Sequence, residues 1–239
     1  MSPTESNAGT RQRDKAQSVA LIKAPSMKVR VATFLCVLMA GFLGSCGAAR
    51  PSKFYQLSVP AEAATGAQTT DSAPAGKAAD RAHPTLLVGN LMASHLYRED
   101  RIVYSGAREQ MGTYEYQRWA EPPTEMVQEV LLRALRASGR YRAVYMHRSN
   151  INGDFLLRGR IYDFKEVSGG PLTARVTVEF EMRDLKTGAT AWTHYYQHDE
   201  PVDGKDVPAV VAALDRNVQR CVKEVLGSLD EYFAGTSSK

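Results

Sequence analysis

The chain has 239 residues, 44% of them hydrophobic, 23% charged and 8% aromatic, a composition that excludes disorder throughout. Its formal charge is +4, from 30 basic and 26 acidic residues, but six of the basic and two of the acidic ones lie in the first 46 positions. From Gly47 onward 24 basic residues meet 24 acidic ones, and a neutral body removes the electrostatic ground for nucleic-acid binding.

Lys28 and Arg30 precede an uncharged, mostly apolar run of 12 residues, 31–42, which is the pattern of an export signal. As a helix this run spans about 18 Å, short of a hydrocarbon layer of roughly 30 Å. It ends in Leu43-Gly44-Ser45-Cys46, which resembles the lipobox of bacterial lipoproteins: Leu at −3, small residues at −2 and −1, and cysteine at the cut. That resemblance implies cleavage before Cys46, a thioether-linked diacylglycerol on its sulfur and acylation of the new N-terminus. Two or three chains, at about 0.8 kcal/mol per buried methylene, hold a protein stably on a membrane. Met27 opens a leader of ordinary size, so residues 27–45 read as the signal and the polar residues 1–26 as an over-extended start.

Cys36 falls in the leader and Cys46 carries lipid, so Cys221 is the one free thiol expected and no intrachain disulfide can form. Cys221 has helical spacing with Leu214, Val218 and Val225, the setting of a buried apolar cysteine rather than a nucleophile.

Past a short tether, residues 53–59 alternate as a strand ended by Pro60. Residues 61–82 hold nine alanines and no Leu, Ile, Val or aromatic residue, so they read as a flexible connection. A coil of that length spans on the order of 25 Å, which would let the body stand off the lipid. Three regions follow: leader 1–45; lipidated tether, first strand and Ala-rich linker 46–83; and a single domain from 84 to 239.

Within that domain, residues 85–89, 101–104 and 113–119 read as strands. Pro122-Pro123 then opens a helix whose Met126, Val127, Val130, Leu131, Ala134 and Leu135 share a face, with Gly139 as its stop. Residues 141–145 and 155–167 are further strands. Strict alternation over 175–183 and the turn Asp184-Leu185-Lys186-Thr187-Gly188 predict a hairpin into 191–198. Asp206 caps a last helix with the apolar stripe Val211, Leu214, Val218, Cys221/Val222, Val225 and Leu229. The expected fold is α+β, two-layer, with a mainly antiparallel sheet and two amphipathic helices packed on one face.

Motifs for catalysis are missing. Gly204-Lys205 lacks the upstream glycine and following Ser/Thr of a P-loop, and Ser168-Gly169-Gly170 is a loop between strands rather than a nucleophile elbow. His194 and His198 would share a helical face as metal ligands, but along a strand they stand about 13 Å apart. Asp199-Glu200, Asp203 and Asp206 form an acidic loop whose spacing matches no calcium loop. The expectation is therefore no catalytic residue, no metal and no cofactor beyond the covalent lipid.

Tyr97, Tyr104, Tyr114, Tyr116 and Trp119 are interleaved with Arg98, Arg101, Arg108 and Arg118. Amphipathic aromatics beside arginines suit a partner or lipid contact, and equally the completion of a thin core.

Phe54-Tyr55-Gln56-Leu57, Arg101-Ile102-Val103-Tyr104 and Arg118-Trp119-Ala120-Glu121-Pro122-Pro123 with its Leu/Ala/Arg-rich helix resemble the ABC-type transport auxiliary lipoproteins, over residues 43–233. The resemblance implies a non-catalytic lipoprotein at the periplasmic face of the outer membrane, where Gly47 after Cys46 fits release from the inner membrane. Its implied partners are an MCE-domain protein, an inner-membrane ABC permease with its ATPase, the phospholipid membrane and further copies of the chain, with no nucleic acid. Two other readings stay open: a lipopolysaccharide-assembly lipoprotein partnering an outer-membrane barrel, and an anchored hydrolase.

Overall fold

The computed structural model describes residues 50–59, 83–106, 110–148 and 150–236. The leader, the lipobox Leu43-Gly44-Ser45-Cys46, and the Ala-rich segment lie outside the described residues. Nine strands form one sheet: β1 (Lys53–Tyr55), β2 (Thr85–Val88), β3 (Met92–Ala93), β4 (Arg101–Ser105), β5 (Met111–Trp119), β6 (Ala143–Met146), β7 (Phe155–Val167), β8 (Thr173–Asp184) and β9 (Thr190–Pro201). Helix α1 (Pro123–Ala137) follows β5, and α2 (Val207–Thr236) follows β9.

The long strand β7 organises the sheet. One of its edges carries β8 antiparallel, and β9 pairs antiparallel beyond it. Along the other edge β2, β3 and β4 lie one after another, all parallel to β7. Outside them β6 pairs parallel with β2, β5 antiparallel with β4, and β1 parallel with β5. Five pairings are parallel and three antiparallel, so the sheet is mixed, not mainly antiparallel as expected. The physical reason is that the links between β2, β3 and β4 do not reverse the chain, and α1 carries it back so that β6 runs alongside β2.

Local chemistry explains the element ends. Pro123 opens α1 with its ring-fixed φ and no N–H to leave unpaired, while Gly139, at φ 63°, takes the left-handed position past its end. Asp184 Oδ1 accepts the backbone N–H groups of Lys186 and Thr187, and Gly188 takes a positive φ of 72°, which closes the β8–β9 hairpin. Asp206 Oδ1 accepts the Ala209 N–H at 3.1 Å and caps α2.

The face that α2 covers follows from register. Val178 stands opposite Tyr196 and Met182 opposite Trp192. The Tyr196 hydroxyl reaches Asn217 of α2, and the Trp192 indole N–H donates to Ser228 Oγ at 3.0 Å. Ala174, Val176, Val178, Phe180 and Met182 are fully buried there against Leu214, Val218, Cys221, Val225 and Leu229. Each such side chain contributes about 1.5–3 kcal/mol by leaving water. Cys221 is 1% exposed and its thiol is pushed up by burial, as its apolar spacing indicates. Helix α1 packs on β6 and α2, and Arg136 Nε bonds the Val144 carbonyl at 3.1 Å. On the opposite face Met92, Tyr162 and Tyr195 stay exposed.

Strand β1 belongs to this domain, ahead of the Ala-rich segment. Ala120 N–H donates to the Tyr55 carbonyl at 2.7 Å, Ser58 N–H to Asp215 Oδ1 at 2.8 Å, and Gln219 Nε2 to the Ser58 carbonyl at 2.8 Å. Leu57 is 3% exposed. Residues 53–59 are thus fixed to both β5 and α2. Residues 60–82 therefore join two strands of the same sheet, β1 and β2, rather than a tether and a separate domain.

Candidate functional site

At one end of the sheet β1, β5 and the start of α1 meet. Trp119 ends β5 with its ring edge-on to Phe164 of β7, centroids 5.5 Å apart, and its backbone N–H donates to the Asp100 carbonyl at 2.6 Å. Ala120 catches β1, Pro122 offers its carbonyl to the Glu125 and Met126 N–H groups, and Pro123 opens the helix. The block 119–123 therefore turns strand into helix and docks the N-terminal arm in one short stretch.

Between this arm, residues 90–91 and α1 lies a cleft of about 740 Å³. Its floor is Leu57, Leu91, Met126 and Val130; its rim carries the carboxylates of Glu121, just ahead of the helix, and of Glu125 and Glu129, four residues apart along it. Arg133 pairs with Glu129, and Gln128 Oε1 accepts the Leu91 N–H at 3.0 Å. Its walls offer carboxylates, amides and the Thr124 hydroxyl, with no His, Cys or Ser among them. Such a recess can hold an apolar or cationic group by shape and charge.

The five aromatics singled out in the sequence divide. Tyr97 and Trp119 are 2% and 1% exposed, so these two belong to the core and are removed from the contact set. Tyr104 and Tyr116 are each 37% exposed and Tyr114 is half-buried. Tyr104 and Tyr114 meet edge-on at 5.2 Å, and the Tyr114 hydroxyl donates to Glu166 Oε2 at 2.7 Å, on a carboxylate that is itself buried. Burial first, then that hydrogen bond and the Glu166 charge, raise the Tyr114 phenol. Gly112 makes room for Tyr104: a Cβ there would stand 2.5 Å from its ring. The step from Arg101 to Val103 in β4 faces that from Arg118 to Thr113 in β5, so residues 114–117 stand opposite the single residue Ile102 as a bulge. Tyr116 bonds to Glu115, which raises its phenol.

Sequence reasoning passed over a second polar cluster on β9 and α2. Glu200, 8% exposed, is held by Arg216 Nε at 3.1 Å, Arg220 at 3.1 Å and His198 Nε2 at 3.3 Å. The rest of the acidic loop is also spoken for. Arg175 makes two hydrogen bonds to Asp199, at 2.6 and 2.7 Å, Arg216 reaches Asp203, and Asp206 is the helix cap. His194 stacks on Trp192 instead of facing His198, ring centroids 5.7 Å apart. Only the acidic run was visible beforehand, because its arginines come from elsewhere in the chain.

Burial alone would raise the Glu200 carboxyl, but the hydrogen bonds and charges of Arg216 and Arg220 outweigh it and hold the group below its ordinary value. A depressed folded pKa stabilises above the unfolded value, about 4.3 for glutamate, and that contribution fades as pH falls through the folded value. Glu200→Gln is expected to cost on the order of 2 kcal/mol at neutral pH, shrinking toward pH 3, in urea unfolding at a series of pH values. A cost that stays constant with pH would remove this role from Glu200.

The geometry defines a two-layer α+β domain with a polar-rimmed cleft beside its N-terminal arm, and among the described residues no helix is long and apolar enough to cross a membrane. The model of the ABC-type transport auxiliary lipoprotein component family matches residues 55–225, and the chain belongs to that family. Membership makes it a lipoprotein, held at a membrane by its anchor and associated with an ABC transport system. Among solved structures it is similar to protein XCC0632 from Xanthomonas campestris, described under DUF330, with a TM-score of 0.62 and 19% identity over 78% of this chain and all of that one. A second crystal structure, of an uncharacterized protein, has a TM-score of 0.56 and 13% identity over 74% of this chain and 97% of that one. At these identities the likeness shows the fold. None of the curated proteins compared with the chain matches it.

Proposed function

We propose that this protein is the non-catalytic, lipid-anchored auxiliary component of an ABC/MCE-type system that moves phospholipid or a related lipid between the two membranes of a Gram-negative cell. Cys46 carries the acyl chains and holds the domain at the periplasmic face of the outer membrane. An MCE-domain protein and an inner-membrane permease with its ATPase are the partners, and Tyr104, Tyr114 and Tyr116 are the aromatic surface offered to partner or lipid. The observation that carries this reading is the family match beginning at Tyr55, close behind Leu43-Gly44-Ser45-Cys46. The amide- and carboxylate-walled cleft is consistent with a binding role.

The test is purification of the tagged full-length chain from its own membranes in mild detergent, with partners, bound lipid and the mass of the Cys46 peptide read together. Recovery of an MCE protein, a permease and an acylated Cys46 is the expected result. An outer-membrane barrel with lipopolysaccharide would favour the assembly reading instead. In parallel, Cys46→Ser is expected to move nearly all of the protein from the outer-membrane to the soluble fraction. Retention in the membrane would show that the anchor lies elsewhere.

A further inference from the structure

We infer that the β1 edge of the sheet is the membrane-facing surface of the domain, with Phe54 inserted at the lipid headgroup boundary and Arg50 and Lys53 against lipid phosphates. This rests on the Cys46 anchor proposed above, and it follows from where the folded chain begins. Lys53 is already paired with Gln117 of β5, so only residues 47–52 separate the anchor from the sheet. Six residues reach at most about 20 Å when fully extended, and as a coil they span roughly 13–14 Å.

Whatever else moves, β1 stays near the lipid surface. The other end of the sheet has no such constraint: across β5, β4, β7 and β8, at about 4.8 Å per strand, β9 stands roughly 24 Å from β1. A domain hung by one edge on a short tether presents that edge to the bilayer.

The chemistry of the edge suits that position. Phe54 is 63% exposed, the most exposed of the large hydrophobic side chains among the described residues. Its register partner in β5 is Arg118, and that of Arg118 in β4 is Arg101, so the ring shares a row with two guanidinium groups. Tyr55 and Trp119, the next pair in register, have Trp119 buried, so Phe54 points away from the core. Arg118 is bound by Asp100, at 2.9 and 3.1 Å, and Arg101 by Glu99 at 3.6 Å. Arg50 and Lys53 are exposed and make no ion pair among the described residues. Their charges are the ones available to phosphate, and the tether holds them at high local concentration. An unpaired edge strand with an outward phenylalanine is otherwise a hazard for edge-to-edge association, and the lipid boundary covers it.

The experiment uses the full chain, lipidated and purified from membranes, with Phe54→Cys or Tyr195→Cys labelled by an environment-sensitive fluorophore; Cys221 is buried and stays unlabelled. Tyr195, on β9 and 59% exposed, is the control. The proteins are reconstituted in vesicles of phosphatidylethanolamine and phosphatidylglycerol containing lipids with a nitroxide near the headgroup. Expected are co-flotation of both proteins, a blue-shifted emission at position 54, and quenching there severalfold stronger than at position 195. Co-flotation with equal quenching at the two positions, or stronger quenching at 195, would overturn the inference and leave the anchor intact. Failure of either protein to float with the vesicles would remove the Cys46 anchor and this orientation together.

Discussion

Trp119→Ala is expected to lower stability by about 3–5 kcal/mol, the range for deleting a fully buried large aromatic. The indole is 1% exposed and packed edge-on to Phe164, so its removal leaves a cavity that the surrounding strands can close only in part. The site is also a junction: Trp119 pairs with Tyr55 of β1, and the next residue holds β1 through the Tyr55 carbonyl. A second effect is therefore expected, faster amide exchange over residues 53–59 than in β7 or β8. Urea unfolding of the lipid-free Cys46→Ser chain, with and without Trp119→Ala, reads the first effect, and hydrogen exchange on the same proteins reads the second. A loss below about 1 kcal/mol would mean that the cavity is refilled and the indole is dispensable. Trp119→Phe, which keeps a ring against Phe164, is expected to recover most of the stability.

Asn217→Leu is expected to be nearly as damaging although it adds apolar surface. Asn217 is 0% exposed in the middle of α2, where an apolar residue would be the ordinary choice. Its Nδ2 donates to the Ala174 carbonyl at 2.8 Å and the His198 carbonyl at 2.9 Å, and its Oδ1 accepts the Tyr196 hydroxyl at 2.6 Å. One side chain therefore ties α2 to both β8 and β9. A leucine of similar size leaves several of these buried groups unpaired, at about 1–3 kcal/mol for each group stranded. A total loss of about 3–5 kcal/mol is expected, less than a simple sum because the Tyr196 hydroxyl also reaches the Asn217 backbone carbonyl at 3.2 Å. Tyr196→Phe in the same chain should offset part of it, with a coupling of about 1–2 kcal/mol in a double-mutant cycle. If Asn217→Leu unfolds within about 1 kcal/mol of the parent, the network sets register rather than stability.

Both predictions concern residues whose importance was unevenly visible in the sequence. Trp119 was noticed as an aromatic of unsettled role, and Asn217 was passed over as one polar position inside an apolar stripe. The deciding contact for each comes from strands distant in the chain: Phe164 for Trp119, Ala174 and Tyr196 for Asn217. The same holds for Tyr116, which shares a strand with Trp119 but sits in the bulge of residues 114–117. Alternation along β5 cannot reveal that bulge, because it is defined by the shorter count of residues in β4.

What the sequence by itself determined is whatever fits within one helical turn or one tight loop. The bounds of α1 follow from Pro123 and Gly139, the cap of α2 from Asp206, the β8–β9 turn from Asp184 and Gly188, and the buried face of Val176, Val178, Phe180 and Met182 from the alternation of β8, whose other face also buries Thr177. These signals depend on neighbours a few residues away, whose geometry the backbone itself sets. Tertiary structure decided the parallel pairings along β7, the assignment of each aromatic to core or surface, the arginine clasp on Glu200 and the seating of β1 against β5. The apolar run 85–89 reads as a strand, and in the structure all four residues of β2 are buried, so both of its faces are covered. Its partners β6 and β7 lie some sixty residues downstream, and which strand closes such a distance depends on the competing burial of the whole core rather than on any local pattern. The seating of β1 against β5 also placed Lys53–Tyr55 in the same sheet as the strands that follow residue 84.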